Sequence, residues 1–297
     1  MDCRSPIMNK IARVFPSKTT YSPDDDLAFF EGPGLFPPDG ISKAMVSCTF
    51  TWDKPRAEQL AKEWERVCPV ELSGPAYDNP GCEFSPGMFL KSGMVLTSRG
   101  CSHKCSFCFV PEREGGIRTL EIKQGNRLLD SNILACPEDH VRAVFDMLSS
   151  QKGKIGLHGG FDTRLIQDWH IDLLEGIRPK VERLYIAFDN DTKSSRERVI
   201  RAIKLIRNGA GLSLGQLRCF VLVGYKDDSI SKAEERCEWV LNHGAVPFAS
   251  YFRPPDEMSG KKPKEWQDLV SRWAWMPGIF GRLKREGKPK PNQRGPV

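Results

Sequence analysis

The chain has 297 residues, a net charge of +6, 39% hydrophobic and 28% charged side chains, the balance of an ordinary soluble globular protein. No apolar run reaches the ~18 residues of a membrane span, and the N-terminus MDCRSPIMNK lacks the apolar core of a secretory signal. A reducing cytoplasm is therefore the expected compartment, no membrane partner is expected, and the ten cysteines read as buried small residues or metal ligands before disulfides.

In chain order, the first 40 residues are turn-rich (SPDDDLAFFEGPGLFPPDG at 22–40) and resist assignment. From Ala44, AMVSCTF reads as a strand and DKPRAEQLAKEWERV as a helix. Asp53 is its expected N-cap, Pro55 lies in its first turn, and Leu60, Ala61, Trp64 and Val67 share one face. PVELSGPA then reads as a second strand ending in a tight turn, which completes a β-α-β unit. Cys48, Cys68 and Cys82 in this module are too widely and unevenly spaced to read as a second cluster.

Beyond Gly93, six β-rich runs fall at 94–100, 126–132, 154–160, 183–190, 217–225 and 245–252. PEDHVRAVFDMLSS, RLIQDWHIDLLEGI, SRERVIRAIKLIRNG and ISKAEERCEWVLNHG separate the later runs with helical apolar spacing, while 101–125 shows no clear helix. This alternation predicts an α/β fold with a parallel sheet, and six strands are too few for the closed eight-stranded barrel. An open, partial barrel fits the count. Trp266, Leu269, Val270 and Trp273 form the core stripe of one more helix.

Three segments follow: an α/β module at 1–90, a core at 91–260, and a helix with a basic tail at 261–297. The last holds ten Lys and Arg against Glu265, Asp268 and Glu286, a net of +7 that leaves −1 for the preceding 260 residues. Its end, GRLKREGKPKPNQRGPV, reads as a solvated tail, with nucleic acid as the partner its charge would suit.

The loop after the first core strand, TSRGCSHKCSFCFVP, places Cys101, Cys105 and Cys108 within eight residues. Loops at strand C-termini are where α/β folds collect function. Structural zinc takes four ligands, as most iron–sulfur clusters do, so three cysteines leave one coordination position open to a small molecule. A zinc or iron–sulfur binding module without turnover remains the alternative. His103 is expected to face solvent, and His158 to face the pocket.

The spacing C-x3-C-x2-C, with Phe107 just before the last cysteine, resembles the signature of the radical SAM superfamily. The resemblance covers 93–253. It implies a TIM-type partial (β/α)6 barrel in which the three thiolates hold a [4Fe-4S] cluster. S-adenosylmethionine (SAM) chelates the remaining iron and is split reductively to a 5′-deoxyadenosyl radical that abstracts hydrogen from a substrate. It also implies an external reductant such as flavodoxin or ferredoxin. By the same resemblance Asp130 and Asn132 would meet the SAM amino group, with Gly159 and Gly160 allowing close backbone approach. Asp162 and Arg164 would meet ribose or carboxylate, Asp189 the ribose or else the following helix as its N-cap, and Val223, Gly224 and Phe107 the adenine. CSFCFVP followed by Arg118 is similar to the loop of tRNA methylthiotransferases, and 46–76 to the last β-α-β of a Rossmann-like cobalamin domain. The cobalt-ligating Asp-x-His-x-x-Gly element is absent, so cobalamin is not expected. Nucleic acid and peptide stay open as substrates.

Overall fold

β1 (Lys10–Val14), β2 (Ala28–Phe29), β3 (Ile41–Ser47), α1 (Lys54–Trp64) and β4 (Val70–Ser73) form the first part of the chain. The computed structural model describes residues 10–79, 83–254, 261–274 and 276–287. Among them the chain divides into two units, one up to Met94 and one from Val95 to Arg253 joined by the described residues from 261 onward.

In the first unit a parallel sheet runs in the order β2-β1-β3-β4. The expected β-α-β is present, and the unassigned N-terminal stretch supplies the other two strands. Ala12, Val14, Ala44 and Val46 from the strands meet Leu60, Ala61 and Trp64 from α1 in an apolar core. Val67 departs from the expected face. It lies three residues past the end of α1 and is 38% exposed. Asp53 precedes α1, but its carboxylate accepts from Ser17 Oγ at 2.9 Å instead of capping the helix. Gly74 ends β4 at φ +114°, where a Cβ would stand 2.6 Å from the Cys48 carbonyl oxygen, so the turn demands glycine. Cys48 and Cys68 are buried, and burial raises both thiols, the state of unreactive core residues. Cys82 lies outside the described residues.

β5 (Met94–Val95) falls at the division, and the second unit continues with β6 (Ser98–Arg99), α2 (Val110–Glu114), β7 (Arg118–Thr119), β8 (Arg127–Leu128), α3 (Glu138–Ser150), β9 (Ile155–Phe161), α4 (Asp168–Ile177), β10 (Val181–Phe188), α5 (Lys193–Lys204), β11 (Leu217–Val223), α6 (Ile230–Asn242), β12 (Val246–Tyr251), α7 (Lys264–Ala274) and α8 (Met276–Arg285). Its main sheet follows chain order, β5-β8-β9-β10-β11-β12, and is parallel from β8 onward. The sheet is open; among the described residues β5 and β12 are not joined. Two expected strands are short. The run at 94–100 breaks into β5 and β6, and the run at 126–132 keeps only two ladder residues. The loop at 101–125 holds one short helix, α2.

Apolar faces of α3 to α6 cover one side of this sheet. Phe145 of α3 meets Phe161 of β9, and Trp239 of α6 meets Phe188 of β10, with ring centroids 6.3 and 5.0 Å apart. Leu157, Leu184, Ile186 and Val221 are fully buried, each contributing roughly 1.5–3 kcal/mol. Cys136, Cys219 and Cys237 are small buried residues of this unit. Trp266, Leu269 and Trp273 are buried as expected, and α7 and α8 belong to the same unit as the sheet. Glu234 of α6 joins them: it accepts from Arg272 Nη2 (2.8 Å), Trp273 Nε1 (3.0 Å) and Arg282 Nη1 (2.9 Å).

Candidate metal centre

The cysteine loop has a pinched neck. β6 and β7 pair antiparallel, Ser98 with Thr119 and Arg99 with Arg118, so residues 100–117 leave and return at one place. Gly100 sits at φ +81°, and a Cβ there would fall 2.2 Å from the Gly116 carbonyl oxygen. Its amide donates to Glu114 Oε2 at 3.1 Å, and the Cys101 amide to the Gly115 carbonyl at 3.3 Å. The root of the loop rests on Asp130, which is fully buried. Thr97 N–H, Thr97 Oγ1 and Ser98 Oγ donate to its two oxygens at 2.7, 2.6 and 2.6 Å. The task anticipated for Asp130, holding a bound amino group, thus gives way to anchoring the loop. Burial pushes its carboxyl up to about 6 against those hydrogen bonds.

The three thiols are partly exposed and free. Asn132, 3% exposed, donates through Nδ2 to Cys101 Sγ at 3.4 Å and to Asp162 Oδ2 at 3.2 Å. Its Oδ1 is buried with no hydrogen-bond partner among the described residues. Arg164 forks onto Asp162 through Nε (2.7 Å) and Nη2 (2.8 Å), and its Nη1 reaches Cys105 Sγ at 3.7 Å. Burial opposes the Asp162 charge, yet the Arg164 bonds prevail and hold this carboxyl below the usual range; the same pairing raises Arg164. His103 does not simply face solvent: its Nε2 lies 2.9 Å from Asp162 Oδ2, without hydrogen-bond alignment.

Asp189, just past β10, has its carboxyl pushed up to about 6 by burial; Arg164 opposes the rise and Asp162 adds to it. It does not cap α5. Thr192 Oγ1 does, accepting from Ser195 N at 3.2 Å. Burial likewise raises the Cys108 thiol, with Cys105, Cys101 and Asp189 as further causes, so these groups share one electrostatic neighbourhood. Gly159 and Gly160 differ. A Cβ on Gly159 would overlap the Asp130 carbonyl oxygen at 1.8 Å, so its close approach is to the chain itself, while Gly160 faces open space.

At the end of β11 the Val223 carbonyl accepts from Phe252 N (2.8 Å), and Gly224 N donates to Asp228 (2.8 Å). Phe107 packs edge-on against Tyr225 with centroids 5.9 Å apart, and Tyr225 Oη donates to the Ser106 carbonyl at 3.0 Å. Sequence reasoning missed Tyr225, which ties the cysteine loop to β11. The only signal was a tyrosine directly after the strand-ending glycine.

Among the described residues no three His, Cys, Asp or Glu side chains converge on a single metal ion. A polynuclear cluster asks for something else, since each thiolate binds a separate iron. The donor set suits it: three cysteines in one loop lie near Asp189, and the Arg164 guanidinium that reaches Cys105 is already paired with Asp162. An iron core supplies the positive charge that such a set lacks. No protein-family model matches this chain, and neither does any curated protein. No helix among the described residues is long and apolar enough to cross a membrane.

Proposed function

We propose that this chain is a radical SAM enzyme built on a partial (β/α)6 barrel, with a [4Fe-4S] cluster held by Cys101, Cys105 and Cys108. One observation carries the reading: the C-x3-C-x2-C loop is fastened to the C-terminal ends of three strands of one sheet, through Asp130 and Asn132 after β8, Arg164 after β9 and Tyr225 after β11. Six strands in unbroken spatial order support the barrel. When bound, the cluster supplies the electron that cleaves SAM reductively to methionine and a hydrogen-abstracting 5′-deoxyadenosyl radical.

The chain's own residues orient and shield that chemistry. Asn132 donates to the Cys101 sulfur, which delocalises thiolate charge, and its unpaired Oδ1 is an acceptor for the SAM amino group. Arg164 stabilises the Cys105 sulfur while clamped by Asp162, and suits the SAM carboxylate. Gly160 leaves space beside them. Asp189 offers a half-buried carboxyl to ribose hydroxyls, and Phe107 with Tyr225 a flat apolar wall to adenine. The reductant is a flavodoxin- or ferredoxin-type donor. The ten Lys and Arg against three acids after residue 260 favour nucleic acid over peptide as substrate.

The test is anaerobic reconstitution of the full chain with iron and sulfide. The wild type is expected to turn brown and retain both elements, and Cys105→Ala to lose the colour. A colourless wild type that holds one zinc ion tightly would favour a closed structural site and sink the reading.

A further inference from the structure

The face of the β9–β12 sheet opposite the helices carries more positive charge than the described residues on it balance. Register sets Tyr185 beside Arg218 and Phe220 beside Phe248. Tyr185 and Phe220 stack with centroids 4.6 Å apart, Phe248 meets them edge-on at 6.3 and 5.6 Å, and His158 adjoins Tyr185 at 5.6 Å. Arg218 is 7% exposed, and its Nε and Nη1 are buried with no hydrogen-bond partner among the described residues. The groups acting on it are Tyr185 and Arg183, with no carboxylate among them, and burial lowers its pKa.

Neighbouring strands make the imbalance larger. Arg127 of β8 and Arg183 of β10 join Arg218, and the acid facing them is Glu182, 2.5 Å from Arg127 and 3.8 Å from Arg183. Three guanidiniums against one carboxylate leave a formal excess of two positive charges. His158 adds none at neutral pH, because burial first, then Arg127 and Arg183, lower its pKa. The cluster is fitted to the backbone: a Cβ on Gly156 would lie 2.3 Å from His158 Nε2 and 2.8 Å from Arg127 Nη1. A guanidinium desolvated without an acceptor costs several kcal/mol, which an anion on the same face offsets.

We propose that this face binds a phosphomonoester carried on an aromatic body, with Arg218 and Arg183 on the phosphate and the Tyr185, Phe220 and Phe248 layer against the ring. A phosphomonoester carries roughly −1.5 to −2 at neutral pH, which matches the excess, and its three oxygens suit guanidinium forks. Aromatic layers bind flat apolar bodies. Arg218 opens β11 and Gly224 follows its end, about 20 Å along the strand at ~3.3 Å per residue. Arg218 therefore stands far from the cysteine loop, while Tyr185, in register with Gly160, carries the aromatic layer towards it; the binding test reads the arginine face whatever the loop holds.

Calorimetric titration of the full chain tests this with phenyl phosphate, inorganic phosphate and benzoate as probes. Phenyl phosphate is expected to bind tighter than either of the others, and Arg218→Met to weaken it about tenfold or more. Inorganic phosphate binding as tightly as phenyl phosphate would remove the aromatic half of the proposal, and benzoate doing so would remove the phosphate half. Absence of binding, or unchanged affinity in Arg218→Met, overturns it entirely. Should that variant not fold, Arg183→Gln, at a 46% exposed side chain, takes its place with the same expected weakening and the same overturning result.

Discussion

Asp130 shows most plainly how one residue departs from its sequence reading. As a carboxylate after a strand it suggests a ligand contact, yet both oxygens are taken by Thr97 and Ser98. Its carboxyl rises from 3.8 to about 6, so between those values the folded chain keeps a proton that the unfolded chain has released. Stability from this group is greatest below about pH 4 and is lost as pH rises to about 6, by up to about 3 kcal/mol. Asp130→Asn should remove that decline from urea denaturation midpoints measured across the interval; an unchanged pH dependence would contradict the assignment. Asn132 is the opposite case. Its Nδ2 donates to Cys101 Sγ at 3.4 Å, and on the proposed function Asn132→Leu should fold but retain less iron after reconstitution. The three cysteines were legible because their spacing is local. Tyr225 was not, because its partner Ser106 lies 119 residues away and no periodicity encodes that contact.

At the scale of elements, β9 to β12 were readable from their apolar and β-branched runs, and the helices from their spacing. The first two core runs misled. Thr97 and Ser98 give their polar groups to Asp130, and the Thr97 carbonyl accepts from Leu120 N, so the ladder is interrupted where the loop is rooted. Two adjacent glycines give a sharp test of β9. Gly159→Ala drives a Cβ into the Asp130 carbonyl and should cost about 3 kcal/mol or more in chemical denaturation, whereas Gly160→Ala should leave stability unchanged while weakening SAM binding. Equal stability in the two variants would count against the geometry. Helices α7 and α8 are also more integrated than the charge of this segment suggests. Glu234→Ala strips the acceptor from Arg272, Trp273 and Arg282 and should lower stability by about 2 kcal/mol, with Glu234→Gln losing less.

For the whole molecule, the sequence's alternation of strand and helix led correctly to an α/β chain with parallel sheets, while the N-terminal sheet of four strands was only half visible. β1 and β2 lie among Pro, Gly and Asp residues that mask short strands, and only their pairing with β3 or with each other makes them strands. The proposed function rests on the cysteine loop, and one assay reaches it most directly. Reduced, anaerobically reconstituted full-length protein is incubated with SAM and 5′-deoxyadenosine is quantified. The account predicts that the wild type forms this product and that Cys101→Ala, Cys105→Ala and Cys108→Ala do not. Wild-type protein loaded with iron and sulfide that leaves SAM intact under reduction would contradict it.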